Sequence, residues 1–537
     1  MPRLIVSAAL DFLFQTDSTF ALVDVREFGE YNTAHIPGAS SLPRRLLEFR
    51  FERLVPCRSV QVILCDDDGR RASLAAQTIE RAGYNRVAVL DGGLNRWATD
   101  GFETEWGMNV VSKDFGERVE VSAHVPTIEP LELERRLREG EKLVILDTRT
   151  PEEFSRACIP GGRSVPGGEL ALRVTDIVRE QPSASVVVNC AGRTRSIIGA
   201  RTLQRMGVPN VVSLRNGTSG WTLAGLELEH GATHLELPAP SEEGRSAAEA
   251  FGLRVAAEDG VRLLDIDQLE QRMSSAGDEA TYLIDVRTRE EYESGHIPGF
   301  WWFPGGQAVQ RADDVAAVRN GHVVFCCDGV ARSTVAGSWY RQMGFPNVYA
   351  VRGGTSAWLA AGKPLETAAG RPPETAAVDI APFGLADALE RAAVLTPDDL
   401  HQLLAGDEKP PVIFLDPSDQ FASGHIAGSH WLSRSWLEME IGEIAPDNSR
   451  PVVLTDSDGR GALLGAMTLR EAGYERASAL EGGLRAWHAA GLPLERGLTG
   501  VMQPPADVVA AGTDRTYADM VHYLSWEEAL GRKYLAE

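Results

Sequence analysis

Two polar loops of this chain combine a cysteine and an arginine at the same spacing. Cys190 opens the loop "CAGRTRS" and Cys327 opens "CDGVARS", and Arg195 and Arg332 follow at the fifth position. Each loop lies between a short apolar run and a helical run, as in "SVVVNCAGRTRSIIGARTLQRMG". Loop N–H groups and the positive end of a helix dipole stabilise an anionic sulfur at such a place. The pattern therefore predicts two nucleophilic cysteines held as thiolates.

Two further copies of this loop, "CDDDGRRAS" and "TDSDGRGA", differ at the residue that matters. Counting back from the glycine that ends each following helix places these residues at the nucleophile position: Asp66, Cys190, Cys327 and Asp456. Cys65 then matches the last strand residues Asn189, Cys326 and Thr455. An alternative alignment with one extra loop residue would make Cys65 reactive. The two aspartates are expected to cap a helix N-terminus, with a cation or partner site as the alternative.

The loops belong to a long internal repeat. Each copy has an apolar strand, a turn, a second strand with the polar loop and a helix, then a third strand and a helix with a tryptophan. Short buried strands separated by helices favour a parallel sheet. The sequence thus predicts an α/β protein of four tandem domains, each a small parallel β-sheet flanked by helices. The predicted bounds are 1–112, 120–230, 256–367 and 392–496, followed by a tail, 497–537, with a helix docked on the body.

Composition narrows the function classes. A net charge of −23 over 537 residues disfavours nucleic acid or an anionic membrane as partner. No apolar run is long enough for a membrane helix and no cleavable leader is evident, so a cytoplasmic location is expected. Six cysteines are too few for a disulfide scaffold, and their spacing does not suit zinc. No nucleotide loop is found, and neither a metal nor a cofactor is expected.

Four ordered motifs resemble those of the rhodanese family of thiosulfate sulfurtransferases. They are Asp-x-Arg after the first strand, His-Ile-Pro-Gly, the Cys-x-x-x-x-Arg loop and Gly-Gly-x-x-x-Trp, and together they cover most of the chain. The resemblance implies four rhodanese-like domains in the order inactive, active, active, inactive. It also implies that a cysteine accepts the outer sulfur of thiosulfate as a persulfide and passes it to cyanide or a thiol. Two-domain rhodaneses often pair an inactive first domain with an active second one, as the first half of this chain does.

The predicted catalytic residues are Cys190 and Cys327. The predicted substrate-binding residues are Ala191, Gly192, Arg193, Thr194, Arg195, Asp328, Gly329, Val330, Ala331 and Arg332. Arg193 and Arg195 suit an oxyanion, so the Cys190 site is expected to accept thiosulfate more readily than the Cys327 site, where Asp328 adjoins the nucleophile. The Cys327 site would prefer a less charged donor or receive sulfur from another site.

Two other function classes stay open. The spacing from Cys326 to Arg332 matches the longer loop of related phosphatases and arsenate reductases, which would make Cys326 the nucleophile. Alternatively, the domains form a binding scaffold or relay sulfur to a protein persulfide carrier. The inactive copies are expected to wall the clefts of the active ones.

Several motif residues are expected to be structural. Asp147 with Arg149, and Asp285 with Arg287, should close the first strand as ion pairs, whereas the fourth copy reads Asp416-Pro417-Ser418. The remaining structural set comprises the turn histidines His35, His296 and His425, the core tryptophans Trp97, Trp221, Trp358 and Trp487, and the linker pairs Phe115-Gly116, Phe251-Gly252 and Phe383-Gly384. The adjacent Cys326 and Cys327 could form a disulfide only in a strained ring.

Overall fold

A computed structural model describes residues 3–367, 382–501 and 505–535 of the chain. Parts of the predicted linker 366–392 and of the tail 497–537 lie outside these residues. The described residues divide into two compact units. One unit contains the first and fourth repeats, within 1–108, 317–319 and 380–509, and the other contains the second and third repeats, within 109–316, 320–379 and 510–537.

The first repeat has five strands and five α-helices. In chain order they are β1 Arg3–Ile5, α1 Ser7–Phe14, β2 Phe20–Asp24, α2 Phe28–Thr33, β3 Ser40–Ser41, α3 Leu47–Leu54, β4 Gln61–Cys65, α4 Arg70–Arg81, β5 Val87–Leu90 and α5 Gly93–Thr99. The second repeat is preceded by helix α6, Val110–Ser122. Its elements are β6 Thr127–Ile128, α7 Pro130–Arg138, β7 Leu143–Asp147, α8 Pro151–Arg156, β8 Arg163–Ser164, α9 Leu170–Glu180, β9 Ser185–Asn189, α10 Thr194–Met206, β10 Val211–Leu214 and α11 Gly217–Leu223.

The third repeat is preceded by helix α12, Glu242–Asp259. It comprises β11 Arg262–Leu264, α13 Ile266–Ser274, β12 Thr281–Asp285, α14 Arg289–Ser294, β13 Trp301–Trp302, α15 Gly305–Gln310, α16 Ala312–Val315, β14 His322–Cys326, α17 Ala331–Met343, β15 Asn347–Val351 and α18 Gly354–Ala360. Helix α19, Leu385–Arg391, precedes the fourth repeat. The last elements are β16 Ala393–Leu395, α20 Pro397–Ala405, β17 Val412–Phe414, α21 Ser418–Ser423, β18 His430–Trp431, α22 Leu437–Ile444, β19 Val452–Thr455, α23 Arg460–Glu471, β20 Ala477–Leu480, α24 Gly483–Ala489 and α25 Tyr517–Arg532.

Each repeat forms one five-stranded sheet with the same strand order, for example β6-β10-β9-β7-β8 in the second repeat. All strand pairs are parallel, and helices flank each sheet. The predicted fold class, four tandem α/β domains with small parallel sheets, is therefore confirmed. The pattern found only the three central strands of each repeat, because the two edge strands are two or three residues long and carry no periodic signal.

The loop that carries the nucleophile position follows the central strands β4, β9, β14 and β19. A glycine at the start of the last helix packs against this loop in every repeat. Gly217 has a φ of +54°, and a Cβ there would overlap the carbonyl oxygen of Cys190. The same carbonyl accepts a hydrogen bond from the Thr218 amide at 2.9 Å. The Gly-Gly-x-x-x-Trp motif is thus explained by this close approach, and its four tryptophans are buried as predicted.

The first repeat packs against the fourth, and the second packs against the third, rather than each half of the chain forming one unit. In one unit Arg44 of the first repeat bonds Glu438 of the fourth, and in the other Arg332 of the third repeat bonds Glu169 of the second at 2.8 Å. The backbones of Gly168 and Gly305 also meet in the second unit. The two aspartate repeats therefore share one unit and the two cysteine repeats the other. The plan of an inactive first domain paired with its active successor is not followed.

Inter-repeat segments that looked irregular in sequence contain buried helices. Phe115 on α6 and Phe251 on α12 are buried, and the adjacent Gly116 and Gly252 lie against the first turns of α10 and α17. These Phe-Gly pairs pack on the active-site helices, as their predicted anchoring role requires. In the predicted tail, α25 belongs to the second unit and its buried residues are Met520, Leu524, Glu527 and Gly531.

Candidate active site

Strand register identifies the nucleophile position in each repeat. Asp147 pairs with Asn189 and Asp285 pairs with Cys326, and in the first repeat Asp24 pairs with Cys65. These partners are all the last residues of their strands, so the next residue begins the loop. The register places Asp66, Cys190, Cys327 and Asp456 at equivalent positions.

Cys65 and Cys326 are core residues. Their exposures are 1% and 0%, and each belongs to the apolar cluster of its repeat. Burial, with nearby Asp24 or Asp285, raises the pKa of both thiols well above its ordinary value. Cys65 and Cys326 end their strands and have the more strongly raised thiol pKa, which disfavours the alternative alignment and the phosphatase hypothesis. Burial alone does not separate them from Cys190 and Cys327. All six cysteines are free thiols, so Cys326 and Cys327 form no disulfide.

Cys190 lies at the start of its loop with 2% exposure. Its Sγ is 3.4 Å from the Ser196 hydroxyl oxygen, and the Ser196 amide also faces the sulfur. Burial raises the pKa of Cys190 above its ordinary value, although the Arg195 guanidinium and Ser196 act in the opposite direction. The expectation that the surroundings favour a thiolate is therefore wrong for this buried geometry, because desolvation outweighs the local donors.

Cys327 has nearly the same surroundings. Its exposure is 1%, and its Sγ is 3.4 Å from the Ser333 hydroxyl oxygen. Burial raises the pKa of Cys327, Arg332 and Ser333 lower it, and the adjacent Asp328 raises it further. Burial thus favours the thiol over the thiolate at both candidate nucleophiles in the described geometry.

The arginine at the fifth position after the nucleophile fastens the loop to the preceding helix. Arg195 donates two hydrogen bonds to Glu153, at 2.7 and 2.9 Å, and Arg332 donates to Glu291 at 2.6 and 2.8 Å. Each glutamate also closes the capping box of its helix, α8 or α14. Although burial opposes ionisation, the Arg195 guanidinium lowers the pKa of Glu153 to about 2.

The same ion pair occurs in an aspartate repeat, where Arg71 donates to Glu30 at 2.8 and 2.9 Å. In the fourth repeat Gly461 replaces the arginine and Gln420 replaces the glutamate, so both partners change together. The arginine is therefore part of the loop's architecture and is not specific to the cysteine repeats.

The second arginine of the Cys190 loop is enclosed by carboxylates. Arg193 donates to Glu117 at 2.6 and 2.8 Å and also bonds Glu120. Burial raises the pKa of Glu117 to about 7, although Arg193 opposes this. With Arg195 also paired, the two guanidinium groups that motivated a thiosulfate preference at Cys190 are engaged by protein carboxylates. Their predicted role in binding an oxyanion stays a prediction.

The other predicted loop residues form the loop and its junction with the following helix, and their role in substrate binding stays a prediction. Ala191 accepts a hydrogen bond from the Ser219 amide at 3.0 Å, and Thr194 begins α10. In the third repeat, Val330 accepts from Ser333 at 3.1 Å and Ala331 begins α17. The remaining loop residues are Gly192, which is buried, and Asp328 and Gly329, which are partly exposed. Asp328 bonds Arg332 at 2.8 Å and Arg245 of α12 at 3.0 Å.

The aspartates at the nucleophile position cap their loops, as predicted. Asp66 accepts hydrogen bonds from the amides of Gly69 and Ala72, the latter at 3.1 Å. Asp456 accepts from the amides of Gly459 and Ala462, the latter at 3.0 Å. Burial and the nearby Asp416 raise the pKa of Asp456 to about 7.

The strand-end ion pairs are confirmed in the second and third repeats, where Arg149 bonds Asp147 and Arg287 bonds Asp285, both at 2.7 Å. The predicted alignment of the fourth repeat is wrong by two residues. Phe414, not Asp416, pairs with the last residue of β19, and Pro417 takes the N-cap position. Asp416 therefore stands at the arginine position. Its carboxylate accepts from the Ser457 amide at 2.8 Å.

Sequence reasoning missed the helices that cover the two cysteine loops. Helix α25 lies on the Cys190 loop through Tyr523 and Glu527, and helix α12 lies beside the Cys327 loop through Glu249. The tail was recognised as a docking helix, but its amphipathic pattern does not say which surface it covers. These walls come from linker and tail helices within the same unit. The expectation that inactive copies wall the active clefts is not supported at these contacts.

In the described ranges, no group of three or more His, Cys, Asp or Glu side chains has an arrangement that could hold a metal ion. None of the described helices is both long and apolar enough to cross a bilayer.

Comparison with known proteins identifies the family. The profile of the rhodanese-like domain matches residues 9–100, 129–224, 265–361 and 396–490, which is well over half of the chain. The protein therefore belongs to the rhodanese-like family, with four copies of the domain in tandem.

Particular relatives extend this result. The crystal structure of a thiosulfate sulfurtransferase from Pseudomonas aeruginosa is 36% identical, covers 99% of this chain and 98% of its own, and has a TM-score of 0.86. A sulfurtransferase of Allochromatium vinosum is 29% identical over 19% of this chain and 94% of its own length. The putative sulfur carrier protein YrkF of Bacillus subtilis is 33% identical over 15% of this chain. The chain spans only 43% of that relative's length. These similarities support sulfur transfer in general.

Proposed function

We propose that this protein is a sulfurtransferase that moves the outer sulfur of thiosulfate, or of a related donor, to cyanide or a thiol through persulfides on Cys190 and Cys327. The name of the Pseudomonas aeruginosa structure, similar over nearly the whole chain, supports thiosulfate as a donor.

One observation carries the proposal, namely that all four loops are built around the same anion-holding position. In the aspartate repeats the sixth residue after the nucleophile position, Ala72 or Ala462, donates its amide to the carboxylate. In the cysteine repeats this residue is Ser196 or Ser333, whose amide and hydroxyl face the sulfur. A persulfide anion on either cysteine would meet donors where the aspartate repeats hold a carboxylate.

The reaction needs two displacements. After losing its proton to a base or to water, the thiolate attacks the outer sulfur of thiosulfate. The sulfur–sulfur bond of the donor breaks, and its electron pair leaves with sulfite. Cyanide or a thiolate then attacks the terminal sulfur of the persulfide, and the electron pair of that bond returns to the cysteine. No external oxidant is required.

A protein acceptor is the second candidate, and the burial of both sulfurs favours it. The two cysteines are only 2% and 1% exposed, so little of either residue is open to solvent in the described geometry. A persulfide carrier protein could open the site on docking. A scaffold without turnover would bind such a partner but release no product from small donors.

Mass spectrometry after thiosulfate treatment tests the proposal. A mass gain of one sulfur atom is expected on the peptides that contain Cys190 and Cys327, and not on those with Cys65 or Cys326. Steady-state release of sulfite or thiocyanate should accompany it, and should be absent from the Cys190→Ser/Cys327→Ser double variant. If a persulfide forms without turnover, the relay to a protein acceptor is favoured. If neither a persulfide nor turnover is detected, the result contradicts sulfur transfer from small donors.

A further inference from the structure

Helix α25 completes one wall of the Cys190 site. Its buried residues include Met520, Leu524 and Glu527. A Cβ on Gly192, two residues after the nucleophile, would be 3.0 Å from Glu527 Oε2, 3.4 Å from Tyr523 and 3.8 Å from Leu524. The glycine therefore leaves just enough room for the helix to lie on the loop.

Glu527 brings a buried carboxylate to this wall. Its residue exposure is 1%, and its Oε1 accepts hydrogen bonds from the Tyr523 hydroxyl at 2.7 Å and from Thr194 at 3.4 Å. The other oxygen, Oε2, is buried and receives no hydrogen bond from any described residue. This is the oxygen that faces Gly192.

A buried carboxylate oxygen without a donor is costly, so the site favours a ligand that supplies an N–H or ammonium group there. The same oxygen repels an anion that approaches the loop. Glu528 adds a second carboxylate, 3.5 Å from Arg193 and 3.1 Å from Arg215. The carboxylates on α25 thus oppose a small dianion and suit a cationic group, although the buried ammonium of Lys113 on α6 also interacts with Glu527 and offsets part of this charge.

The Cys327 site differs at the corresponding place. Gly329 also faces a glutamate oxygen, because a Cβ there would be 3.0 Å from Glu249 Oε1 of α12. Glu249, however, is exposed, so water can solvate its carboxylate. The difference between the two sites is therefore the burial of the carboxylate rather than its presence.

We propose that Glu527 is a specificity-determining residue of the Cys190 site, and that this site transfers sulfur preferentially to thiols that carry an ammonium group, that is, aminothiols. The inference rests on the proposed sulfur transfer. In the transfer step the aminothiol thiolate attacks the terminal sulfur of the Cys190 persulfide, whose bond to Cys190 breaks and leaves its electron pair on that cysteine. The ammonium group donates to Glu527 Oε2.

Entry requires α25 to shift, and its attachment is suited to this. Several of its contacts are partly exposed ion pairs, such as Glu528 with Arg215 and, just after the helix, Lys533 with Asp114. Lys113 of α6 lies under the rings of Tyr523 and Trp526, at 4.8 and 5.2 Å from their centroids. Partly exposed ion pairs contribute little to stability, so these pairs oppose the shift only weakly.

The first experiment compares thiol acceptors of similar size and different charge in the full-length Cys327→Ser protein, with and without Glu527→Gln. The acceptors are cysteamine, 2-mercaptoethanol and 2-mercaptoethanesulfonate. We expect the ratio of kcat/KM for cysteamine to that for the sulfonate to fall about tenfold in Glu527→Gln at low ionic strength. A ratio changed by less than about twofold would overturn the proposal.

The second experiment does not depend on sulfur transfer. Alkylation of Cys190 by anionic iodoacetate and neutral iodoacetamide is measured in the same two proteins. Glu527→Gln should raise the iodoacetate to iodoacetamide rate ratio by about fivefold or more. If no persulfide ever forms, the proposed function fails, while this ratio still decides whether Glu527 selects by charge.

The matched control is Glu249→Gln in the Cys190→Ser protein, in which the same acceptor and alkylation ratios are measured for Cys327. Because Glu249 is solvated, its ratios should change by less than about twofold. An equal change at both sites would contradict the role assigned to burial. Circular dichroism establishes that each variant is folded. If Glu527→Gln proves unfolded, Glu527→Asp replaces it, because the shorter side chain retracts the carboxylate from Gly192. The acceptor and alkylation ratios should then change in the same direction, and unchanged ratios would again overturn the proposal.

Discussion

The Cys190 and Cys327 sites share a strand end, a serine beside the sulfur and an arginine paired with a capping-box glutamate. They differ in what lies around this common frame. Helix α25 seals the Cys190 loop, whereas the Cys327 loop borders α12 and receives Glu169 from the neighbouring repeat through Arg332. The comparison indicates that the loop is a fixed module, and we expect segments outside the repeat to set its specificity.

The two sites also differ in the polar groups that lack a partner among the described residues. On the helix that covers the Cys190 loop the unpaired charged group is an acceptor, Glu527 Oε2, and in the Cys327 loop it is a donor, the Nε–H of Arg332. A leftover donor suits an anionic ligand and a leftover acceptor suits a cationic one. Because the extra arginine at Cys190 is enclosed by glutamates, we predict the reverse of the thiosulfate preference expected from the loop sequences.

The largest expected effect comes from removing one nucleophile at a time. With thiosulfate as donor and cyanide as acceptor, Cys327→Ser should lose most of the activity, by about tenfold or more, because the remaining site carries the buried Glu527. Cys190→Ser should lose less than half. Initial rates of thiocyanate formation measure both. A larger loss in Cys190→Ser than in Cys327→Ser would support the thiosulfate preference for Cys190 that the loop sequences suggest. It would contradict the difference between the two sites described above.

A smaller effect is expected from the contact between repeats. Glu169→Gln removes one carboxylate from Arg332, which keeps its bonds to Glu291 and Asp328. The more positive Arg332 should speed persulfide formation at Cys327 by thiosulfate about threefold, while Cys190 in the same molecule serves as the unchanged control. Time-resolved mass spectrometry of the two peptides measures this. Equal acceleration at both cysteines would contradict a local electrostatic cause.

Much of this arrangement was predictable from sequence because its signals are local. An apolar run that ends in a polar loop and a helix gives the central strand and the nucleophile position, so Cys65 could be assigned to the strand and Cys190 to the loop. The glycine repeated before each tryptophan likewise indicates that the last helix packs closely against the loop. The spacing of Asp147 and Arg149 indicates an ion pair.

The features that the sequence did not predict depend on contacts between residues that are distant in sequence. Glu117, Glu120 and Glu527 lie far from Arg193 and Thr194 along the chain, and nothing in their local pattern indicates that they meet. The fourth repeat was aligned on the aspartate of "FLDPS", but backbone pairing fixes Phe414 at that place, because an apolar residue can fill a strand end that no longer needs an ion pair. Likewise, thiolate formation was inferred from loop donors alone, without the burial that outweighs them.

The smallest expected effect concerns the pH dependence of the two thiols. Burial raises the pKa of both, and at Cys190 the Glu527 carboxylate adds to this because it disfavours a second negative charge. Alkylation by neutral iodoacetamide requires the thiolate, so both rates should still be rising with pH above the range in which an unperturbed cysteine levels off. Glu527→Gln should lower the pKa of Cys190 and move its rate profile to lower pH, giving a rate about twofold higher at neutral pH. The profile of Cys327 should stay in place, because Glu527 is absent from its surroundings. A shift of both profiles, or a shift of Cys190 to higher pH, would mean that the variant alters the fold of the unit rather than one local charge.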